Sequence, residues 1–310
     1  MMHYIAGVSG PSLAFSSGSV SERLVERTIR GNKMVCREWG KPGNPVVIGI
    51  HGLSSNSICF ADIAEAVAKA GYHVVVPDLR GRNLSPASGS QSYGWPNHGK
   101  DVSAIADDIR KETRGACGEK FSIMGHSMGG YIALDMPRER LDRVVILDAL
   151  GIPESGAVQS VGGSVNRLDK TYPSADAYVA SIKNKGLIKP FTKTWDRHFR
   201  EEVVAIADGV TPRTSKSAVD EDTAYAMMRS SMPYSFAQSW KTLPEQTLVI
   251  RAGQPMTPVL GRFISDTDSF AYKALRGDKL FKTVDANHYT VLTEPHTISL
   301  VAKFFKGESL

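Results

Sequence analysis

Among the 310 residues, the stretch Gly125-His126-Ser127-Met128-Gly129-Gly130 carries the most pointed chemistry. A short apolar run, Phe121-Ser122-Ile123-Met124, precedes it, and a helix-period stretch over 128–136 follows. The pattern G-x-S-x-G is common by composition alone. Set between a strand and a helix it becomes specific, because a sharp strand-to-helix turn lifts the Ser127 hydroxyl clear of the backbone. Glycines at 125 and 129 avoid the clashes of so tight a turn, and the helix that begins there offers free N–H groups and a positive dipole end to developing negative charge. The chemistry implied is nucleophilic attack by an activated serine.

The surrounding elements alternate. Val46-Val47-Ile48-Gly49-Ile50 reads as a strand buried on both faces, and Phe60, Ile63, Ala64, Val67 and Ala70 fall at helical spacing before Gly71. Further strands are predicted at 73–77, 121–124, 144–147, 247–250 and 281–284, with helices at 101–112, 128–136 and 291–305. This order predicts an α/β fold with a mostly parallel central sheet and flanking helices. Between 151 and 241 no strand-like run is found; helix-like stretches lie near 174–186, 195–207 and 219–230. The expected organisation is a loosely ordered arm over 1–20, a core over 21–150 and 242–310, and a helical cap or lid over 151–241, inserted after strand 6.

Three further segments match in chain order: His51-Gly52-Leu53, Asp78-Leu79-Arg80-Gly81-Arg82, and Asn287-His288-Tyr289-Thr290-Val291-Leu292-Thr293-Glu294-Pro295. The set HG, DLRGR, GHSMGG and NHYTVLTEP resembles the α/β-hydrolase superfamily, in particular its capped esterase, amidase and carbon–carbon hydrolase branch, over residues 34–306. The resemblance implies Ser127 as nucleophile, His288 as its general base, and the N–H groups of Leu53 and Met128 as an oxyanion hole. It implies His51 and Gly52 as the turn presenting Leu53, and His126 as a neighbour of the nucleophile; all three are candidates for contact with substrate.

The third member of the triad departs from the family's common pattern. Relatives often carry an acid in a stretch like R-G-x-x-D after the seventh strand, but Arg251-Ala252-Gly253-Gln254-Pro255-Met256-Thr257-Pro258 has no carboxylate. A minority arrangement places the acid after the sixth strand, where Asp148 stands. Asp266 and Asp268 are the alternatives. Dehalogenases and epoxide hydrolases of the family use Asp as nucleophile, and position 127 is Ser.

In the cap, Met227, Met228, Met232, Tyr234, Phe236 and Trp240 either line an apolar pocket or form the cap's own core; Met228, Tyr234 and Trp240 are taken as substrate-binding candidates. Residues 167–200 hold eight basic side chains against three acidic ones, which reads as a solvated helix face or as attraction for a carboxylate-bearing substrate. The expected function is hydrolysis of a small carboxylic ester, lactone or amide through an acyl-enzyme. Carbon–carbon bond hydrolysis, cofactor-free oxygenation, or a ligand receptor with vestigial hydrolysis are the alternatives on the same residues.

The net charge of +5, from 37 basic and 32 acidic residues, comes without a basic stripe of the kind that tracks nucleic acid. No metal-ligand spacing and no cofactor motif is found, and none is expected. No run approaches the ~18 apolar residues of a membrane helix, and the amino terminus makes a poor signal peptide. Cys36, Cys59 and Cys117 read as reduced thiols in a cytoplasmic setting. The expected partner is a small-molecule substrate, with a homodimer left open.

Overall fold

The computed structural model describes residues 20–89, 92–232, 234–256 and 261–310, with only the backbone described at 158–161, 234 and 235. The described residues begin with a hairpin, β1 (Glu22–Ile29) and β2 (Asn32–Trp39), then β3 (Val46–Ile50), α1 (Ala61–Lys69), β4 (His73–Pro77), α2 (Trp95–Glu112), β5 (Phe121–His126), α3 (Met128–Asp135) and β6 (Leu141–Leu147). Next come α4 (Ser155–Val165), α5 (Ala175–Asn184), α6 (Lys193–Glu202), the hairpin β7 (Val203–Ile206) and β8 (Gly209–Pro212), α7 (Lys216–Ser230) and α8 (Tyr234–Thr242). The chain closes with β9 (Thr247–Ala252), α9 (Asp266–Arg276), β10 (Phe281–Val284) and α10 (Pro295–Lys306).

Eight of these strands form one sheet in the order β1-β2-β4-β3-β5-β6-β9-β10, parallel from β4 to β10 and antiparallel at the β1-β2-β4 edge. The central strands carry long apolar runs because both faces are covered. Ile48, Ile50, Ile123, Ile146 and Val249 join α2 and α3 in one core, while Val47, Val74, Val76, Met124, Leu147 and Ile250 join α1 and α10 in the other. Burying one such side chain contributes roughly 1.5–3 kcal/mol.

The hairpin β1–β2 was not expected from apolar runs, for a physical reason. Its strands carry buried charges: Arg27 pairs with Glu38 at 2.6 Å, Glu38 also bonds His73 at 3.0 Å, and Arg37 is held by Glu22 and Glu201. Such strands look polar in sequence. The turn between them, Arg30-Gly31 with φ of 49° and 76°, has the left-handed geometry of a two-residue hairpin loop.

The expectation that 151–241 holds no strand is also corrected. The helix expected over 195–207 stops at Glu202, where the β-branched run Val203-Val204 begins β7, and Gly209 turns the chain into β8 at φ 136°.

Sheet order is what assembles the site. Because β3 pairs with β5, Ile50 opposite Gly125, the loop after β3 lies beside the turn after β5. Because β6 pairs with β5 and β9, the residue following Leu147 lies next to that same turn. Such crevices at the carboxyl ends of parallel strands are where open α/β sheets bind ligands.

Candidate active site

Ser127 occupies the turn between β5 and α3 at φ 54° and ψ −124°, a conformation a non-glycine residue adopts only under constraint. The surroundings impose it. A Cβ on Gly129 would lie 1.9 Å from the Ile50 carbonyl oxygen, and one on Gly125 would lie 2.3 Å from the Gly129 carbonyl oxygen. The backbone therefore closes on itself here only with glycine at both positions. The Ser127 N–H donates to the Leu147 carbonyl at 3.1 Å, pinning the turn to β6.

The Ser127 Oγ lies 2.9 Å from His288 Nε2, and His288 Nδ1 lies 2.9 Å from Asp148 Oδ2. The other carboxylate oxygen of Asp148 accepts the Ala252 N–H at 3.0 Å, and the Asp148 backbone, itself at φ 51°, donates to Ile250. Phe263 stacks on the His288 imidazole with centroids 3.4 Å apart and planes at 11°, while His126 Nε2 donates to the His288 carbonyl at 2.7 Å. Burial pushes the His288 imidazole well below its ordinary range, so it is neutral near pH 7. Burial pushes the Asp148 carboxyl up, opposed by the Ala252 N–H. Nδ1 carries the proton shared with Asp148, and Nε2 is left to accept from Ser127.

Asp148 is thus the carboxylate brought to His288. Asp266 is exposed and bonds Arg251 at 2.5 Å; Asp268 bonds the Ser265 hydroxyl at the start of α9. Gly52 and Leu53 line a cavity with Ser127 and His288, and Met128 begins α3, whose first N–H groups have no intrahelical partner. His51 stands behind that wall rather than in it. Its Nδ1–H donates to the Gly52 carbonyl at 2.8 Å and its Nε2 accepts the Leu79 N–H at 3.0 Å, so both nitrogens are spent shaping the turn. The expectation that His51 contacts substrate is corrected accordingly. His126 does line the cavity.

The loop is braced a second time. Arg82 Nε donates to the Leu53 carbonyl at 3.1 Å, and its Nη2 reaches Asp222 on α7, which also accepts from His98 Nε2 at 2.9 Å and the Gly94 N–H at 2.6 Å. Burial alone would raise the Asp222 carboxyl, but His98 and Arg82 hold it down to about 2. Arg82 and Asp222 are fully buried. Asp222→Ala leaves the Arg82 cation buried without its anion, and is expected to destabilise the protein by about 3–5 kcal/mol in urea unfolding. A loss below 1 kcal/mol would show that water or another acceptor replaces the carboxylate.

Two cap candidates are corrected. Met228 lies on the outer face of α7, 46% exposed, and Trp240 is buried against Tyr272 with its indole N–H on the Leu150 carbonyl at 2.9 Å. Neither lines the cavity, because α7 and α8 pack on the α2–α3 side. The side chain of Tyr234 lies outside the described residues. The roof of the cavity comes instead from the end of α4 and the segment after it, from α5 and from α6: Ser164, Arg167, Ile182, Trp195, His198 and Phe199. Of the basic residues between 167 and 200, Arg167 is buried, bonded to Glu202, Tyr178 and Ser54. It is no part of a solvated face. A signal for α6 was present: Trp195, His198, Phe199 and Glu202 repeat at the i, i+3, i+4, i+7 spacing of one helix face.

The chain belongs to the α/β-hydrolase family, whose family model matches residues 47–299. It is 33% identical over 137 residues to epoxide hydrolase A of Mycobacterium tuberculosis, a match covering 44% of this chain and 40% of that protein. It is 23% identical to serine hydrolase-like protein 2 of Homo sapiens over 93% of this chain and 95% of that one. Among solved structures, E-2-(acetamidomethylene)succinate hydrolase superimposes with a TM-score of 0.73 at 20% identity, covering 92% of this chain and 99% of the other. Among the described residues no helix is long and apolar enough to cross a membrane.

Proposed function

We propose that the protein is a serine hydrolase that cleaves a small carboxylic ester, lactone or amide through an acyl-enzyme. The observation that carries this reading is the unbroken relay from Ser127 Oγ through His288 to Asp148, two contacts of 2.9 Å each. As His288 Nε2 takes the hydroxyl proton, Oγ bonds to the substrate carbonyl carbon, and the N–H groups of Leu53 and Met128 receive the charge on the carbonyl oxygen. The imidazolium then returns its proton to the leaving alcohol or amine. Water enters by the same route, giving its proton to His288 and its oxygen to the acyl carbon, and free Ser127 is restored.

The similarity to an epoxide hydrolase covers under half of either chain. A serine at the elbow, hydrogen-bonded to a neutral imidazole, supports acyl transfer over epoxide opening. Residues 151–241 act as a cap in this reading, since α4, α5 and α6 contribute the cavity's roof. The buried, unpaired Cys36, Cys59 and Cys117 fit a cytoplasmic setting.

The test is labelling with a fluorophosphonate, followed by peptide mass mapping. An adduct on Ser127 that disappears in Ser127→Ala is the expected result. Absence of label, repeated with a smaller sulfonyl fluoride that passes the cap, would overturn the reading.

A further inference from the structure

The cavity roof has a feature that attack on a carbonyl does not use. Trp195 is 2% exposed and His198 1%, and both line the cavity. Neither the Trp195 indole Nε1 nor the His198 Nδ1 has a partner among the described residues. An indole nitrogen can only donate. A buried donor without an acceptor is a cost in the free protein that an acceptor atom on a ligand recovers. The two rings sit together, with centroids 5.2 Å apart, and Trp195 packs edge-on against Tyr289, the residue after the general base.

The charges around the cavity have one sign. Among the described residues lining it are Arg167 and Lys185 but neither Asp nor Glu. The Arg167 charge is balanced from behind by Glu202 at 2.7 Å. Lys185 bonds the Gly163 carbonyl at 3.2 Å, and among the described residues no carboxylate pairs with it within 4.0 Å. One cation at the mouth and unfilled donor capacity in the wall select against a cationic group and for an anionic acceptor.

We infer that the cavity recognises a substrate bearing a free carboxylate a few atoms from the scissile carbonyl, held by the Trp195 N–H and the Lys185 ammonium, with His198 as a further contact. The inference rests on Ser127 marking the reacting end. His198, kept neutral by burial and by Arg167, still has one N–H to offer. The rings place this polar end one aromatic ring away from the His288 imidazole, which sets the length scale to a short diacid half-ester rather than a long acyl chain.

The experiment is calorimetric binding to Ser127→Ala, which needs no turnover. The probes are the monomethyl esters of succinic, glutaric and adipic acids, each against its dimethyl ester. At least one monomethyl ester is expected to bind about tenfold or more tightly than its neutral partner, the worth of a hydrogen bond to a charged group. Trp195→Phe keeps the ring and removes the donor; Lys185→Met keeps the stem and removes the charge. Each is expected to shrink that ratio severalfold. Lys185 is exposed, so its variant carries the test should Trp195→Phe fail to fold. Equal affinities for both members of every pair, no binding by any of them, or a ratio unchanged in both variants would overturn the inference. A preference for the half-ester in a protein that fluorophosphonate does not label would keep the inference and remove the proposed acyl-enzyme.

Discussion

Ser127→Ala and His288→Ala are each expected to lower kcat on an ester substrate by about a millionfold, and the double variant by hardly more. The reason lies in how the relay is built. Ser127 Oγ has a near neighbour able to take its proton, His288 Nε2 at 2.9 Å, and that nitrogen is bare because Nδ1 is engaged with Asp148. Without the imidazole the hydroxyl keeps its proton and remains a poor nucleophile; without the hydroxyl the imidazole has nothing to activate. Groups that act only together are lost together. The residual rate should stay about 10³–10⁴ above water, because both variants leave the Leu53 and Met128 N–H groups in place. Single-turnover kinetics of the three variants measure this directly. Strictly additive losses would mean that Ser127 and His288 act in separate steps.

How much of this was legible beforehand depended on which physical force shaped each segment. The inner parallel strands were legible because both faces are buried along runs such as Val46–Ile50 and Val144–Leu147, which leaves no room there for polar residues; the edge strand β10 was read from a short run that leaves Thr283 exposed. The Ser127 turn was legible because sterics, not preference, demand glycine at 125 and 129. The hairpin β1–β2 was not, since Arg27, Arg37 and Glu38 are buried through partners that lie far apart in the chain, and no local pattern announces that. The cavity roof was the hardest part. Met227 and Met228 drew attention by composition, yet they face solvent, while Arg167, Trp195 and His198 face the site. Which face of an inserted helix meets the site is decided by tertiary packing. Sequence narrows α6 to one amphipathic face without saying what lies opposite it.

Asp148→Asn is expected to reduce kcat/KM by about 10⁴ while leaving the fold and the fluorophosphonate-accessible Ser127 in place. The amide is isosteric, and its oxygen can still accept the Ala252 N–H that Asp148 Oδ1 accepts at 3.0 Å. Its NH₂ group would then face His288 Nδ1, 2.9 Å from the present Oδ2, and a donor there forces the ring proton onto Nε2. Nε2–H cannot take the serine proton, so the imidazole is present in the wrong tautomer. Asp266→Asn and Asp268→Asn serve as controls, since one bonds Arg251 and the other Ser265. The pH profile adds a sign that can be checked. Burial lowers the His288 pKa, so the unprotonated base persists as pH falls below 6.5, and the acid limb of kcat/KM in the wild type should have its midpoint on the acid side of that value. The Asp148 carboxylate favours the imidazolium by its charge, so removing it should carry the limb further to the acid side. A limb that stays where it was, together with near-normal turnover, would mean that Asp148 is not the group that orients and stabilises His288.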